Sequence, residues 1–110
     1  MKLGEIVEKL SLDVKTGHHG LQKEVSGVYV SDLLSDVMAN SKEGNVWITL
    51  QTHLNIVAVA GLKGLAGIII VNNRQPEKEI NDKADSEKVT IMTTSMPAFE
   101  VTGKLYQMLN

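Results

Sequence analysis

Three apolar runs of strand length, at 46–50, 67–71 and 89–93, are each followed by a polar junction and then by a stretch of helical character. This alternation constrains the fold more than any other feature of the chain. Strand, helix, strand, helix, strand, helix from residue 46 to the end is the pattern of a mainly parallel sheet covered by helices. The run Gly-Ile-Ile-Ile-Val at 67–71 has no polar residue at all, as expected of a strand buried on both faces of such a sheet. The expected fold class is therefore α/β, with helices flanking a mainly parallel sheet in three layers.

The rest of the chain fits that reading. Leu3, Ile6, Val7 and Leu10 are spaced as the apolar stripe of a short helix. Residues 11–15 alternate and read as a strand, 16–24 as a loop carrying Gly17 and Gly20, and 25–30 as a second strand. Ser31 is placed as an N-cap, with Asp32 in the first turn and Leu33, Leu34, Val37 and Met38 on one helical face. Residues 40–45 read as a turn and 52–62 as a helix that is apolar nearly all round, so it is either deeply buried or packed on a partner. Pro76 opens a helix reaching about Ser86. Pro97 opens the last one, with Ala98, Val101, Leu105 and Met108 facing inward. A chain of 110 residues suits one domain over 1–110, its first 24 residues adding a helix, a strand and a loop.

Several function classes are disfavoured at this stage. A net charge of −2 provides no basic footprint for nucleic acid. There is no cysteine, which excludes disulfides and thiolate chemistry and fits a reducing cytoplasm. The charged N-terminus has no signal-peptide core. The apolar span 54–71 tempts a membrane assignment. Lys63 at its centre would cost about 2.5–3.5 kcal/mol there, and Gly61, Gly64 and Gly67 break it into helix, turn and strand. GxxxxGK[ST], GxSxG and HExxH are all absent.

In an open sheet of this kind, ligands bind beyond the carboxyl ends of the strands. Three strand-to-helix junctions should meet there: Thr49, Gln51, Thr52 and His53 after the first strand, Asn72 and Arg74 after the second, and Thr94 after the third. Helix N-termini favour an anion, and Arg74, the only arginine in the chain, has a planar fork suited to phosphate or carboxylate. Helix capping alone would also explain Thr, Ser and Asn at such places. His53 could meet an anion, act as a base or serve an interface; it has no nucleophile or carboxylate partner at a recognisable spacing. Gly17-His18-His19-Gly20 lacks a third metal ligand in sequence and reads as a mobile or structural loop. Asp32 and Asp36, four residues apart, read as a solvated helix face. No catalytic residue, metal or cofactor is expected.

From Val25 to Tyr106 the sequence resembles the DRTGG domain family. The resemblance rests on Gly27-Val28-Tyr29-Val30-Ser31-Asp32-Leu33-Leu34, on Ile48-Thr49-Leu50-Gln51-Thr52-His53-Leu54-Asn55 with the apolar residues after it, and on Gly67-Ile68-Ile69-Ile70. Pro76, Thr93-Thr94 and Phe99-Glu100-Val101-Thr102-Gly103-Lys104-Leu105-Tyr106 also fit. The family is similar in fold to the N-terminal domain of HPr kinase/phosphorylase and occurs as an accessory domain in some phosphotransacetylases and pyrophosphatases. The resemblance implies a non-catalytic regulatory or ligand-binding module that senses a nucleotide or another anionic metabolite and acts on a partner enzyme, with a homodimer as the expected assembly. The alternative is a structural homodimerisation or protein-interaction domain with helix 52–62 as its seam. Asp-Arg-Thr-Gly-Gly itself does not occur; Gln51-Thr52-His53-Leu54-Asn55 stands at the aligned position. Neither a role tied to that Asp and Arg nor HPr kinase activity carries over.

Overall fold

The computed structural model describes residues 1–109. Helix α1 (Leu3–Leu10) leads to the short strand β1 (Asp13–Val14), a 3-10 turn at His18–Gln22 and strand β2 (Gly27–Val30). Helix α2 (Leu34–Asn40), strand β3 (Asn45–Thr49), helix α3 (Asn55–Lys63) and strand β4 (Gly67–Ile70) follow. Helix α4 (Lys78–Ser86), strand β5 (Ile91–Thr93) and helix α5 (Ala98–Leu109) complete the chain.

The strands form one five-stranded sheet in the order β1-β5-β4-β3-β2. The pairs β2–β3, β3–β4 and β4–β5 are parallel, and β1 closes one edge antiparallel to β5. Because successive side chains of a strand leave opposite faces, each continuous apolar run feeds two cores at once. Val46, Ile48, Ile69 and Met92 pack with Leu3, Ile6, Val101 and Leu105 of α1 and α5 on one face. Trp47, Ile68, Ile70 and Ile91 pack with Val37, Ile56, Val57, Ile80 and Ala84 of α2, α3 and α4 on the other. This is the expected three-layer α/β arrangement. The N-terminal helix belongs to the first core, since Leu3 and Ile6 are wholly buried in it.

The span 54–71 divides where its glycines stand. Gly64 caps α3 at φ +64, and Leu65 N–H returns to Ala60 O at 3.1 Å, satisfying a carbonyl the helix end would leave open. Among the described residues no helix is long and apolar enough to cross a membrane. The apolar character of α3 is used inside the chain: Ile56, Val57, Val59 and Ala60 are buried, while Leu62 is exposed.

Several element starts differ from the sequence reading. Helix α2 begins at Leu34 rather than after Ser31. Ser31 Oγ accepts the Leu33 N–H at 3.1 Å in a turn that precedes the helix, so Asp32 lies outside it and not in its first turn. Helix α3 starts at Asn55 rather than 52, because residues 50–54 form an irregular junction that ends in a turn at His53 and Leu54. Helix α4 starts at Lys78, with Pro76 buried just before it. The expected pairing of Asp32 with Asp36 along one helix face does not exist. Asp36 instead accepts hydrogen bonds from the Tyr29 hydroxyl at 2.7 Å and from Asn40 Nδ2 at 2.8 Å.

The histidine-bearing loop has a structural task. Thr16 Oγ1 donates to Val89 O at 2.8 Å and accepts the Ile91 N–H at 2.9 Å. Thr90 Oγ1 donates to Gly17 O at 2.7 Å, and Gly17 N–H donates to the Asp85 carboxylate at 2.9 Å. Gly17 holds φ +66, and a Cβ there would sit 2.7 Å from Val89 O. The loop is thus bolted to the turn before β5 through buried hydrogen bonds. His18 and His19 point to solvent.

Candidate functional site

Parallel pairing brings the strand ends together. Thr49 is in register with Ile70, and Ile70 with Thr93, so the three polar junctions follow strands that stop at one level. The β4–α4 and β5–α5 junctions are stitched to each other: Asn72 N–H donates to Met96 O at 3.0 Å and Asn73 N–H to Thr94 O at 2.8 Å. Asn72 and Asn73 both adopt left-handed backbone, φ +59 and +57, a conformation that asparagine tolerates better than most residues. Thr94 Oγ1 accepts the Met96 N–H at 3.2 Å. The rim expected from the sequence therefore exists as a continuous surface.

Within this rim the β3–α3 and β4–α4 junctions enclose a cleft of about 570 Å³. Gln51, Thr52, His53 and Arg74 line it, as do Leu50, Leu54 and Ile80. Thr49 lies beneath the cleft, buried, and Asn72 and Thr94 stand off it in the stitched turn. Four of the seven expected residues are thus brought together; the other three shape the loops around them.

The junction is held by a compact network. Asp32 Oδ1 accepts Thr49 Oγ1–H at 2.8 Å and Leu50 N–H at 2.7 Å. Thr49 Oγ1 also accepts Gln51 N–H at 3.1 Å, and Gln51 Nε2 donates to Asp32 O at 2.9 Å. His53 Nδ1 accepts the Asn55 N–H at 3.2 Å, and His53 O accepts the Ile56 N–H at 3.1 Å. His53 therefore caps the start of α3 with one ring nitrogen, leaving only Nε2 to meet a ligand. By contrast, the Arg74 guanidinium has no side-chain hydrogen bond or ion pair among the described residues, although it lines the cleft.

Asp32, Glu77 and Glu79 also line the cleft, and the sequence reading missed all three. Two signals could have found them. The strand read at 25–30 runs parallel to β3, so Ser31-Asp32 forms a fourth strand-to-helix junction at the same rim. Glu77 and Glu79 occupy the start of a helix whose N-terminus was already assigned to the site. The cleft consequently holds three carboxylates against one guanidinium. His18 and His19 lie outside it, and no group of three or more His, Cys, Asp or Glu among the described residues could hold a metal ion.

The comparison that decides the family is with the DRTGG domain, whose sequence pattern matches residues 5–108. The chain belongs to the DRTGG domain family. The match extends the resemblance of 25–106 back through α1 and β1, in keeping with the burial of Leu3 and Ile6 in a shared core. Among solved structures, the chain is similar to the CBS and DRTGG domains of the regulatory region of Clostridium perfringens pyrophosphatase, solved with the activator diadenosine tetraphosphate. The TM-score is 0.71 at 21% sequence identity, over 94% of this chain and 45% of that one. The DRTGG chain thus spans less than half of its structural relative, and the likeness is one of fold. No protein of curated function matches the sequence.

Proposed function

We propose that this DRTGG chain is a single non-catalytic regulatory module over 1–110 that binds a nucleotide or similar anionic metabolite in the cleft and acts on a partner enzyme in the cytoplasm. The observation that carries this reading is Arg74: an unpaired guanidinium on the wall of a cleft between the starts of α3 and α4. A planar cation with free donors beside two helix N-termini offers an anion both charge and hydrogen bonds.

The carboxylates define what else the ligand must carry. Asp32, Glu77 and Glu79 accept hydrogen bonds and repel negative charge, so they suit exocyclic amines or ribose hydroxyls better than a run of phosphates. A nucleotide with one anionic group for Arg74 and donors for the carboxylates meets both conditions. Gln51, Thr52 and His53 Nε2 add polar contacts, while Thr49, Asn72 and Thr94 hold the loops in place. The regulatory region of the pyrophosphatase relative was solved with a nucleotide activator, which favours this class of ligand. Regulation fits a cleft with no nucleophile–base pair: the one histidine is already engaged as a cap.

Two copies of the chain are proposed to assemble as a homodimer. The buried α3 residues favour a seam elsewhere than the helix first considered, and the ligand-free protein-interaction reading gains no support from that helix.

Isothermal titration calorimetry with adenosine mono-, di- and triphosphates and diadenosine tetraphosphate tests the ligand reading. Saturable binding that Arg74→Ala abolishes is expected. A lack of heat and of thermal stabilisation with every nucleotide would overturn it.

A further inference from the structure

The two edges of the sheet are built very differently. Strand β1 has only two residues, and Asp13 at its start pairs with Lys15 just beyond it at 2.8 Å. Short length and charge are the usual means of keeping an edge from pairing further. Strand β2 has neither. Gly27-Val28-Tyr29-Val30 contains no charge and no proline, and it pairs regularly with β3 along its whole length. Val30 is 46% exposed, and Leu33 just beyond it 64%.

The backbone phase shows what this edge offers. Tyr29 is in register with Trp47, and Ser31 N–H donates to Ile48 O at 3.3 Å. Tyr29 and Ser31 thus turn their polar groups toward β3, and by strand alternation Val28 and Val30 turn theirs outward. Beside them lies a groove of about 300 Å³ between β2 and α5, whose walls include Val28, Val30, Leu105 and Leu109 and no ionisable carboxylate, amine or guanidinium. Thr102 Oγ1, also on its wall, is buried with no hydrogen-bond partner.

We infer that β2 pairs antiparallel with β2 of a second copy, across a two-fold axis at Tyr29. This deepens the homodimer reading above and is independent of the nucleotide. In that register Val28 faces Val30 of the second copy and Val30 faces its Val28, so the outward N–H and C=O groups of all four residues pair. Tyr29 meets its own symmetry mate as an aromatic cross-strand pair. Gly27 falls opposite Ser31 and Ser26 opposite Asp32, so no like charges oppose each other. Two features select a second copy over another strand. The uncharged edge can meet itself without repulsion. The two-fold also closes the assembly: two five-stranded sheets join into one of ten, both of whose ends are the short, charged β1 edges.

Sedimentation equilibrium of the full chain from low to high micromolar concentration tests this. A dimer is expected whose dissociation constant rises at least tenfold in Val30→Lys but changes little in Val30→Thr. Since the chain has no cysteine, Tyr29→Cys is expected to form an intermolecular disulfide on mild oxidation, because directly opposed residues of an antiparallel pair bring their Cα atoms to about 4.5–5.5 Å. A monomer at every concentration, or a dimer that Val30→Lys leaves intact, would overturn the proposal. Nucleotide titration of the same Val30→Lys protein reads the cleft separately, so failure of one reading is distinguishable from failure of the other.

Discussion

Thr49, wholly buried at the end of β3, donates its hydroxyl to the Asp32 carboxylate at 2.8 Å, tying the β3–α3 junction to the loop that leaves β2. The two residues are 17 apart in sequence. Their bond, with Leu50 N–H on the same oxygen, sets the floor on which Gln51 and His53 stand. Thr49→Val removes the hydroxyl while keeping the shape, leaving Gln51 N–H without its acceptor. Urea denaturation is expected to show a loss of about 1–3 kcal/mol, and nucleotide binding should weaken as well. Unchanged stability and affinity would mean the junction is held by packing alone.

The Gly17 turn is expected to be intolerant of any side chain. Its left-handed backbone and the 2.7 Å approach of Val89 O leave no space for a Cβ. Gly17→Ala should lose on the order of 1–3 kcal/mol or more by chemical denaturation, whereas His18→Ala and His19→Ala should stay within about 0.5 kcal/mol of wild type. If the two histidine variants proved as damaging as Gly17→Ala, the loop would have a task beyond scaffolding.

Tyr29 and Asp36 couple β2 to α2 through a hydrogen bond that depends on pH at both ends. The Tyr29 hydroxyl, followed by Asn40, holds the Asp36 carboxyl below the usual carboxylate range, and the same bond raises the Tyr29 phenol. A lowered carboxylate pKa stabilises the fold above the unfolded value of about 3.9 and loses that contribution as pH falls through the folded value. A raised phenol stabilises below about 10 and loses its contribution as pH rises through the folded value. The bond is therefore fully present between those limits. NMR titration of the Asp36 carboxyl carbon should move toward the ordinary value in Tyr29→Phe; an unmoved midpoint would show that Asn40 and Ser31 set it without the phenol.

The three carboxylates in the cleft predict an order of affinity that runs against simple charge attraction. Adenosine monophosphate should bind more tightly than the free triphosphate, and Glu77→Gln with Glu79→Gln should narrow or reverse the difference, because two repulsive charges are gone. Calorimetry at fixed ionic strength, without divalent cations, reads this directly. A free triphosphate that binds best to the wild-type chain would place its phosphates elsewhere than beside Glu77 and Glu79.

The element order was legible because it rests on local physics. The apolar runs at 46–50 and 67–71 could satisfy their backbones only in a sheet and their side chains only under helices. Gly64 announced the end of α3, and Ile68 to Ile70 could only be a strand buried on both faces. The site was half legible. Parallel strands end at one level, so Gln51, Thr52, His53 and Arg74 could be placed on one rim from their positions alone. Asp32 is the exception: Ser31 as an N-cap places it on a solvated helix face, whereas α2 starts only at Leu34 and the Asp32 carboxylate turns to Thr49.

The sequence by itself determined the layers, the shared rim and the place of Arg74 on it, since side-chain period and strand direction follow from neighbouring residues. Only the tertiary structure decided that Arg74 is left unpaired, that Asp32 bonds to Thr49 beneath the cleft, that Asn72 and Thr94 stitch two turns together, and that β2 is left as an uncharged edge. Those outcomes depend on which distant segments come within bonding distance, and no local pattern encodes a distance between residues 17 or more positions apart.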